Sequence, residues 1–182
     1  KVTADPSFGY FILSEEDGGL AALFPQGDGM ARAYLFLGTA DASAFSGAGK
    51  YDHFIETLTA LGVPTSAVRT ARQAGPLGTF IADDSWVEHP ASGSLVLLGD
   101  AAGISDPTWG QGIALALRDV RTLSTELLRD GDWSAAADAY ARARDAYFRT
   151  IVTSESWQTE LQLTPGEAAA VRREKALALW RQ

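Results

Sequence analysis

The sequence has no cysteine, one methionine and two histidines in 182 residues. Without cysteine there is no disulfide, no cysteine-ligated zinc and no covalent cofactor link through sulfur. Two histidines are too few for a convincing metal site, so no metal ligands are assigned. Basic residues are in deficit: 15 Lys and Arg stand against 23 Asp and Glu, for a net charge of −8. The arginines are scattered and form no cluster, which argues against nucleic acid or an anionic membrane as partner. No apolar run approaches the roughly 20 residues of a bilayer span, and no signal-peptide pattern opens the chain. A cytoplasmic address is the expectation. Gly-x-Ser-x-Gly is also absent, which removes an α/β-hydrolase reading, and no triad or paired-carboxylate arrangement stands out. No catalytic side chain is identified.

What is present is a core-forming composition, 46% hydrophobic and 21% charged, enough for one or two compact units. Its most informative stretch is GDAAGISDPTWGQGIALALRD, Gly99 to Asp119. The apolar run from Ser94 to Leu98 leads into it and reads as a short buried strand. Gly99-Asp100 ends that strand, and a loop follows with Gly103, Pro107, Gly110 and Gly112. From Gln111 the pattern turns helical, with Ile113, Leu117, Val120 and Leu127 along one face. A strand, a glycine-rich loop and a helix N-terminus suit an anionic ligand, because the first-turn N–H groups are unpaired and the helix dipole favours negative charge. Gly110 and Gly112 carry no side chain, so a flat ligand can lie against their backbone. An ordinary strand–loop–helix, with Asp100 as a turn residue, accounts for the same residues without a ligand.

The pattern Gly99-Asp100-Ala101-Ala102, Asp106-Pro107, Gly110-Gln111-Gly112 and Asp119 resembles the second flavin motif of the FAD-dependent aromatic-hydroxylase-like monooxygenases. The resemblance implies FAD as cofactor. It places Asp100 at the ribityl chain, counts Gly99 beside it among the cofactor-binding residues, and sets Pro107, Gly110, Gln111 and Gly112 against the isoalloxazine ring. A helix N-terminus there suits the negative charge of a reduced flavin. Trp109 is a candidate to pack near the ring or substrate, with loop anchoring as the competing role. Asp119 is implied to be structural, tying its helix to a neighbouring segment. Its neighbour Arg118 is explained by solvent or a local ion pair. Many hydroxylases of this kind carry His after Gly-Asp-Ala-Ala. Gly103 stands there instead, as in the geranylgeranyl-reductase-like and halogenase-like branches. The resemblance extends over Gly75–Phe80 and Trp86–Pro90.

The implied function is an FAD-dependent oxidoreductase, in the first instance a monooxygenase. NAD(P)H would reduce the flavin, and one oxygen atom of O2 would pass to a small organic substrate through a flavin hydroperoxide. A flavin-dependent halogenase and a C=C reductase on the same scaffold are the alternatives, and a non-enzymatic domain that does not hold FAD alone is a third. Such proteins begin with a strand–GxGxxG–helix unit that cradles the FAD pyrophosphate. No GxGxxG occurs here, the chain starts at Lys1, and its only methionine is Met30. These residues are therefore expected to be the back part of a longer flavoprotein. They would need the N-terminal FAD-binding half as partner, or else self-associate.

The expected fold class is α+β, the back part of an α/β FAD-binding fold. An antiparallel substrate-domain sheet comes first, then the strand–loop–helix flavin motif, then C-terminal helices. The corresponding segments are 1–90, 91–130 and 131–182. Strands are predicted at Phe8–Leu13, Leu20–Phe24 and Ala31–Leu37, with turns at Glu15–Gly19 and Pro25–Gly29. Tyr10, Phe24 and Tyr34 are candidates to line a substrate pocket, although core packing explains each. After a loop over 41–50, a helix is predicted from Lys50 to Leu61, ended by Gly62 and Pro64. A short helical piece is expected at Ser66–Gln73, and Gly75–Phe80 reads as a turn entering a strand. His53 reads as structural and His89 as a surface-loop residue. Asp132 should cap a helix running to about Gln162, and Thr164-Pro165-Gly166-Glu167 matches a capping box opening a last helix to Trp180.

Overall fold

In a computed structural model of the chain, residues 2–3, 8–14, 16, 18–38, 43–93 and 95–180 are described. Glu15 and Asp17 of the first predicted turn, the loop residues 41–42, and Ser94 lie outside them. The elements run β1 (Val2–Thr3), β2 (Tyr10–Ser14), β3 (Gly19–Gly27), β4 (Met30–Phe36), α1 (Lys50–Ala60), α2 (Thr65–Val68), β5 (Ser85–Trp86), β6 (Ala91–Ser92), β7 (Leu95–Val96), β8 (Gly103–Ile104), α3 (Gly112–Asp130), α4 (Trp133–Gln162) and α5 (Glu167–Trp180). The chain divides into two compact units, Lys1–Ile81 with Gln158–Gln182, and Ala82–Trp157. The whole flavin-like motif falls inside the second unit, and α4 begins in the second and ends in the first.

The first unit is built on an antiparallel sheet of order β1-β4-β3-β2. The predicted meander is its β2–β4 portion. β3 continues through Pro25, where a stop was expected, because a register shift between Pro25 and Gly27 absorbs the missing donor. Ala21 and Leu23 point to one face of the sheet, where Phe54 and Leu58 of α1 meet them together with Leu61, Val63 and Val68. These α1 positions recur at the helical period, and α1 ends one residue before the predicted Leu61. Gly62, at φ +108°, takes the chain out of the helix. Of the predicted Ser66–Gln73 helix only the turn α2 forms, and Gly75–Phe80 enters no regular strand.

α5 starts at Glu167, later than the capping-box pattern suggests. Gly166 adopts φ +99°, and its carbonyl accepts the N–H groups of Ala169 and Ala170 at 3.1 Å. Thr164 presents its carbonyl to Arg173 Nη1 at 3.0 Å, and the same nitrogen reaches the Leu161 carbonyl at 3.3 Å. One guanidinium thus closes the α4–α5 turn.

Among the described residues the second unit has only two-stranded sheets, β5 with β8 and β6 with β7, both antiparallel. Of the predicted Ser94–Leu98 strand, the described residues Leu95–Leu98 form no buried strand. β7 is two residues long and its Leu95 is exposed. α3 runs over the predicted segment, but most of its predicted stripe lies outward: Ile113 is 79% exposed and Leu117 66%, with Val120 also exposed, while Leu127 is half-buried. Its buried positions are Leu115, Asp119 and Leu123. Leu115 packs with Tyr147 and Phe148 of α4. Asp132 caps α4 as expected, accepting from Ser134 N–H at 2.8 Å and Ala135 N–H at 3.2 Å. Among the described residues, no helix is long and apolar enough to cross a membrane.

Candidate functional site

Leu98 is extended, and the chain then turns sharply through one 3-10 turn, Gly99–Ala101. Gly99 takes φ +55°, and a Cβ built on it would lie 3.2 Å from Ala116 Cβ on α3. Glycine is required there for conformation and for close approach to the helix. The turn leaves the Asp100 side chain exposed at its outer edge.

The turn is held in place by a buried charge. Asp119 of α3 is fully buried, and its Oδ2 accepts the Gly99 N–H at 2.7 Å and Arg144 Nε at 3.2 Å. Tyr147 donates its hydroxyl to the other carboxylate oxygen. Arg144 is fully buried as well. Its guanidinium lies 4.5 Å from the Phe148 ring centroid, and its two terminal nitrogens have no hydrogen-bond partner. Tyr140, one turn before Arg144 on α4, donates to the Leu97 carbonyl at 2.8 Å. Tyr140, Arg144 and Tyr147 are spaced i, i+4, i+7, so one helix face grips both the strand end and Asp119. Burial and the Asp119 carboxylate push both tyrosine hydroxyls well above the usual phenol range, which keeps them donors at neutral pH. The implied structural role of Asp119 is thereby given its partners, while the exposed Arg118 packs its guanidinium 4.2 Å from the Tyr147 ring.

Gly103 has a local cause. It pairs with Trp86 across β5–β8, and a Cβ there would fall 2.8 Å from both the Ser85 carbonyl oxygen and Trp86 Cα. Neither atom can move away without disrupting the ladder, so no side chain fits, histidine included.

The second half of the motif is shaped by carboxylates. Asp84 Oδ1 accepts the Asp106 N–H at 2.8 Å, and Asp106 Oδ1 accepts the Thr108 N–H at 2.9 Å, capping a 3-10 turn over Pro107–Trp109. Pro107 is exposed at the start of that turn, and Trp109 is half-buried. Gly110 closes it at φ +69°. Both Gly110 and Gly112 face open space, with nothing within 4 Å of an added Cβ. α3 then begins at Gly112 with Gln111 at its N-cap, and no side chain caps it. An uncapped helix start behind an open glycine floor fits a flat, electron-rich ring, and Asp100 fits a hydroxylated chain.

Gly99, Asp100, Pro107, Trp109, Gly110, Gln111 and Gly112 are thus all set within one compact unit. Tyr10 and Phe24 lie in the other unit, on opposite faces of its sheet. Tyr10 packs against the core cluster, whereas Phe24 is exposed and meets Tyr34 edge-on at 6.1 Å. His53 is exposed and packs on Phe45 at 4.8 Å, and His89 is tied to Asp145 through its N–H and to Asp138 through Nε2 at 3.1 Å. Sequence reasoning treated α4 as packing only and missed Tyr140, Arg144 and Tyr147. Their common helical face was the available signal.

Three solved structures share this fold. A variant of HpxO from Klebsiella pneumoniae complexed with FAD superposes with a TM-score of 0.63 at 19% identity, covering 96% of this chain and 46% of its own. PqsL, a probable FAD-dependent monooxygenase from Pseudomonas aeruginosa, gives 0.56 at 19% identity over 87% of this chain and 46% of its own. A multiply substituted PqsL gives 0.51 at 21% identity over 84% and 44%. The chain therefore spans somewhat under half the length of these proteins. No curated protein matches the sequence. A family model described as an FAD binding domain matches residues 1–154. The chain belongs to the FAD-binding-domain family of flavoproteins.

Proposed function

We propose that the chain is the ring-binding part of an FAD-dependent monooxygenase that uses NAD(P)H and O2 to oxygenate a small organic substrate. The observation that carries the reading is the open floor at Gly110 and Gly112, directly ahead of the uncapped α3 N-terminus. When bound there, FAD would supply the redox chemistry, which explains why no catalytic side chain is needed. Asp100 would hold the ribityl chain by charge-assisted hydrogen bonds. Pro107 and the Gly110–Gly112 backbone would lie against the ring, and first-turn N–H groups would stabilise its reduced, negative form. Asp119, Arg144 and Tyr147 would keep the Gly99 turn, and with it Asp100, in register with α3. Gly103 does not favour the halogenase or reductase alternatives, because the β5–β8 approach accounts for it.

The outward stripe of Ile113, Leu117 and Val120, with exposed Leu95 on β7, would be covered by the N-terminal half that carries the pyrophosphate cradle. The test is an FAD titration, followed by flavin fluorescence, of the chain with and without that half. Binding should require both parts. Asp100→Ala should weaken it at least about tenfold, as expected for losing a hydrogen bond to a charged group of about 1.5–3 kcal/mol. Failure of the joined protein to take up FAD would sink the reading.

A further inference from the structure

Glu155 lies on α4 and belongs to none of the contacts assigned to FAD. It is 2% exposed. Ser105 Oγ donates to its Oε1 at 3.4 Å, and Oε2 is buried without a hydrogen-bond partner. Ser105 opens the segment that continues through Asp106 and Pro107 to Trp109. The charged groups that face Glu155 are Asp84, ahead of β5, and Asp106, in the loop. Both are acids, and both already hold loop N–H groups. Three carboxyl groups therefore converge on one short loop. A buried carboxylate without a cation is costly, and an apolar side chain would fill the same space without that cost.

We infer that Glu155 is a positioning residue for this loop: its carboxyl, sealed beneath Ser105, holds the Ser105–Trp109 segment in the shape that presents Pro107 and Gly110. What that loop presents them to rests on the flavin reading; the positioning itself does not. Burial first, then the Asp84 and Asp106 charges, push the Glu155 carboxyl up to about 7 from its ordinary 4.5, while the Ser105 hydrogen bond pulls the other way. The neutral carboxyl is compatible with its two acidic neighbours. Ionised, it places a third negative charge under the loop. Between the unfolded value of 4.5 and the folded value of about 7, the folded chain binds more protons than the unfolded one. Folding and loop order therefore weaken as pH rises through that window, and the loss is complete above it.

The experiment uses the longest protein carrying this chain, labelled with 15N-tryptophan, with the Trp109 indole resonance assigned by Trp109→Phe. In the parent protein that resonance should follow a one-proton titration with a midpoint near neutrality. In Glu155→Gln, whose amide mimics the neutral acid, it should stay at the low-pH position. FAD affinity should fall with the same midpoint in the parent, by no more than about tenfold per pH unit, and be flat in Glu155→Gln. Ser105→Ala should raise the midpoint, since it removes the one contact that favours the carboxylate, and this variant decides the matter if Glu155→Gln does not fold. A Trp109 resonance that is flat in the parent, that titrates unchanged in Glu155→Gln, or whose midpoint ignores Ser105→Ala overturns the inference. A Trp109 titration that depends on Glu155 in a protein that takes up no FAD at any pH would uphold the positioning role and remove the flavin reading instead.

Discussion

In the first unit the core against α1 is apolar, with Leu23, Phe54, Leu58 and Val63 filling the space beside the sheet, and the buried Arg173 closes the α4–α5 turn on backbone carbonyls. In the second unit Asp119, Arg144 and Glu155 are buried while Ile113, Leu117 and Val120 face outward. Each large apolar side chain buried in the first unit contributes about 1.5–3 kcal/mol. The Asp119–Arg144 pair contributes little net stability, because removing two charges from water offsets their attraction. It contributes geometry, since a carboxylate with three donors in fixed directions admits one arrangement of the Gly99 turn, α3 and α4. The contrast teaches that one short chain uses apolar burial where it needs a stable scaffold and a polar network where it needs a defined backbone trace.

The sharpest way to break this contrast is Asp119→Ala. It would leave Arg144 buried without its anion, and should cost about 3–5 kcal/mol in the second unit. Four of the five tryptophans, Trp86, Trp109, Trp133 and Trp157, lie in that unit, so urea unfolding followed by tryptophan fluorescence reads it directly. A loss below about 1 kcal/mol would show that the network is not what holds the unit. The matching test of the first unit is Leu58→Ala. Its expected cost is about 2–5 kcal/mol, from lost burial plus the cavity left between α1 and β3. Circular dichroism should report that loss while the tryptophan transition stays put, and an equal shift in both signals would mean that the two interiors melt together. The smallest effect on the chain itself is expected from Ile113→Ser, Leu117→Ser and Val120→Ser combined. Exposed positions of this kind change stability by about 0.5 kcal/mol or less each. If the stripe is covered as proposed, sedimentation of the triple variant should show weaker binding to the proposed N-terminal half. Unchanged association would mean that another surface is used.

Read from the residues alone, the chain already declares its sheet strands, because the apolar runs Tyr10–Leu13 and Leu20–Phe24 are bounded by turn residues. It declares α1 and α3 through their periodicity and α4 through the Asp132 cap, and it carries the flavin-like pattern Gly99-Asp100, Pro107 and Gly110-Gln111-Gly112. These signals are local, lying within a few residues of one another, and local chemistry suffices to write them. The burial of Asp119 and its grip on Gly99, 20 residues away, belongs to the tertiary structure. So do the Tyr140–Arg144–Tyr147 face, the steric reason for Gly103, and the outward turn of the α3 stripe. An amphipathic helix has an apolar and a polar face in any context, but only its neighbours decide which of the two is inside. On α3 the charge went inward because α4 offered donors to receive it, and that complementarity exists only once two distant segments have packed.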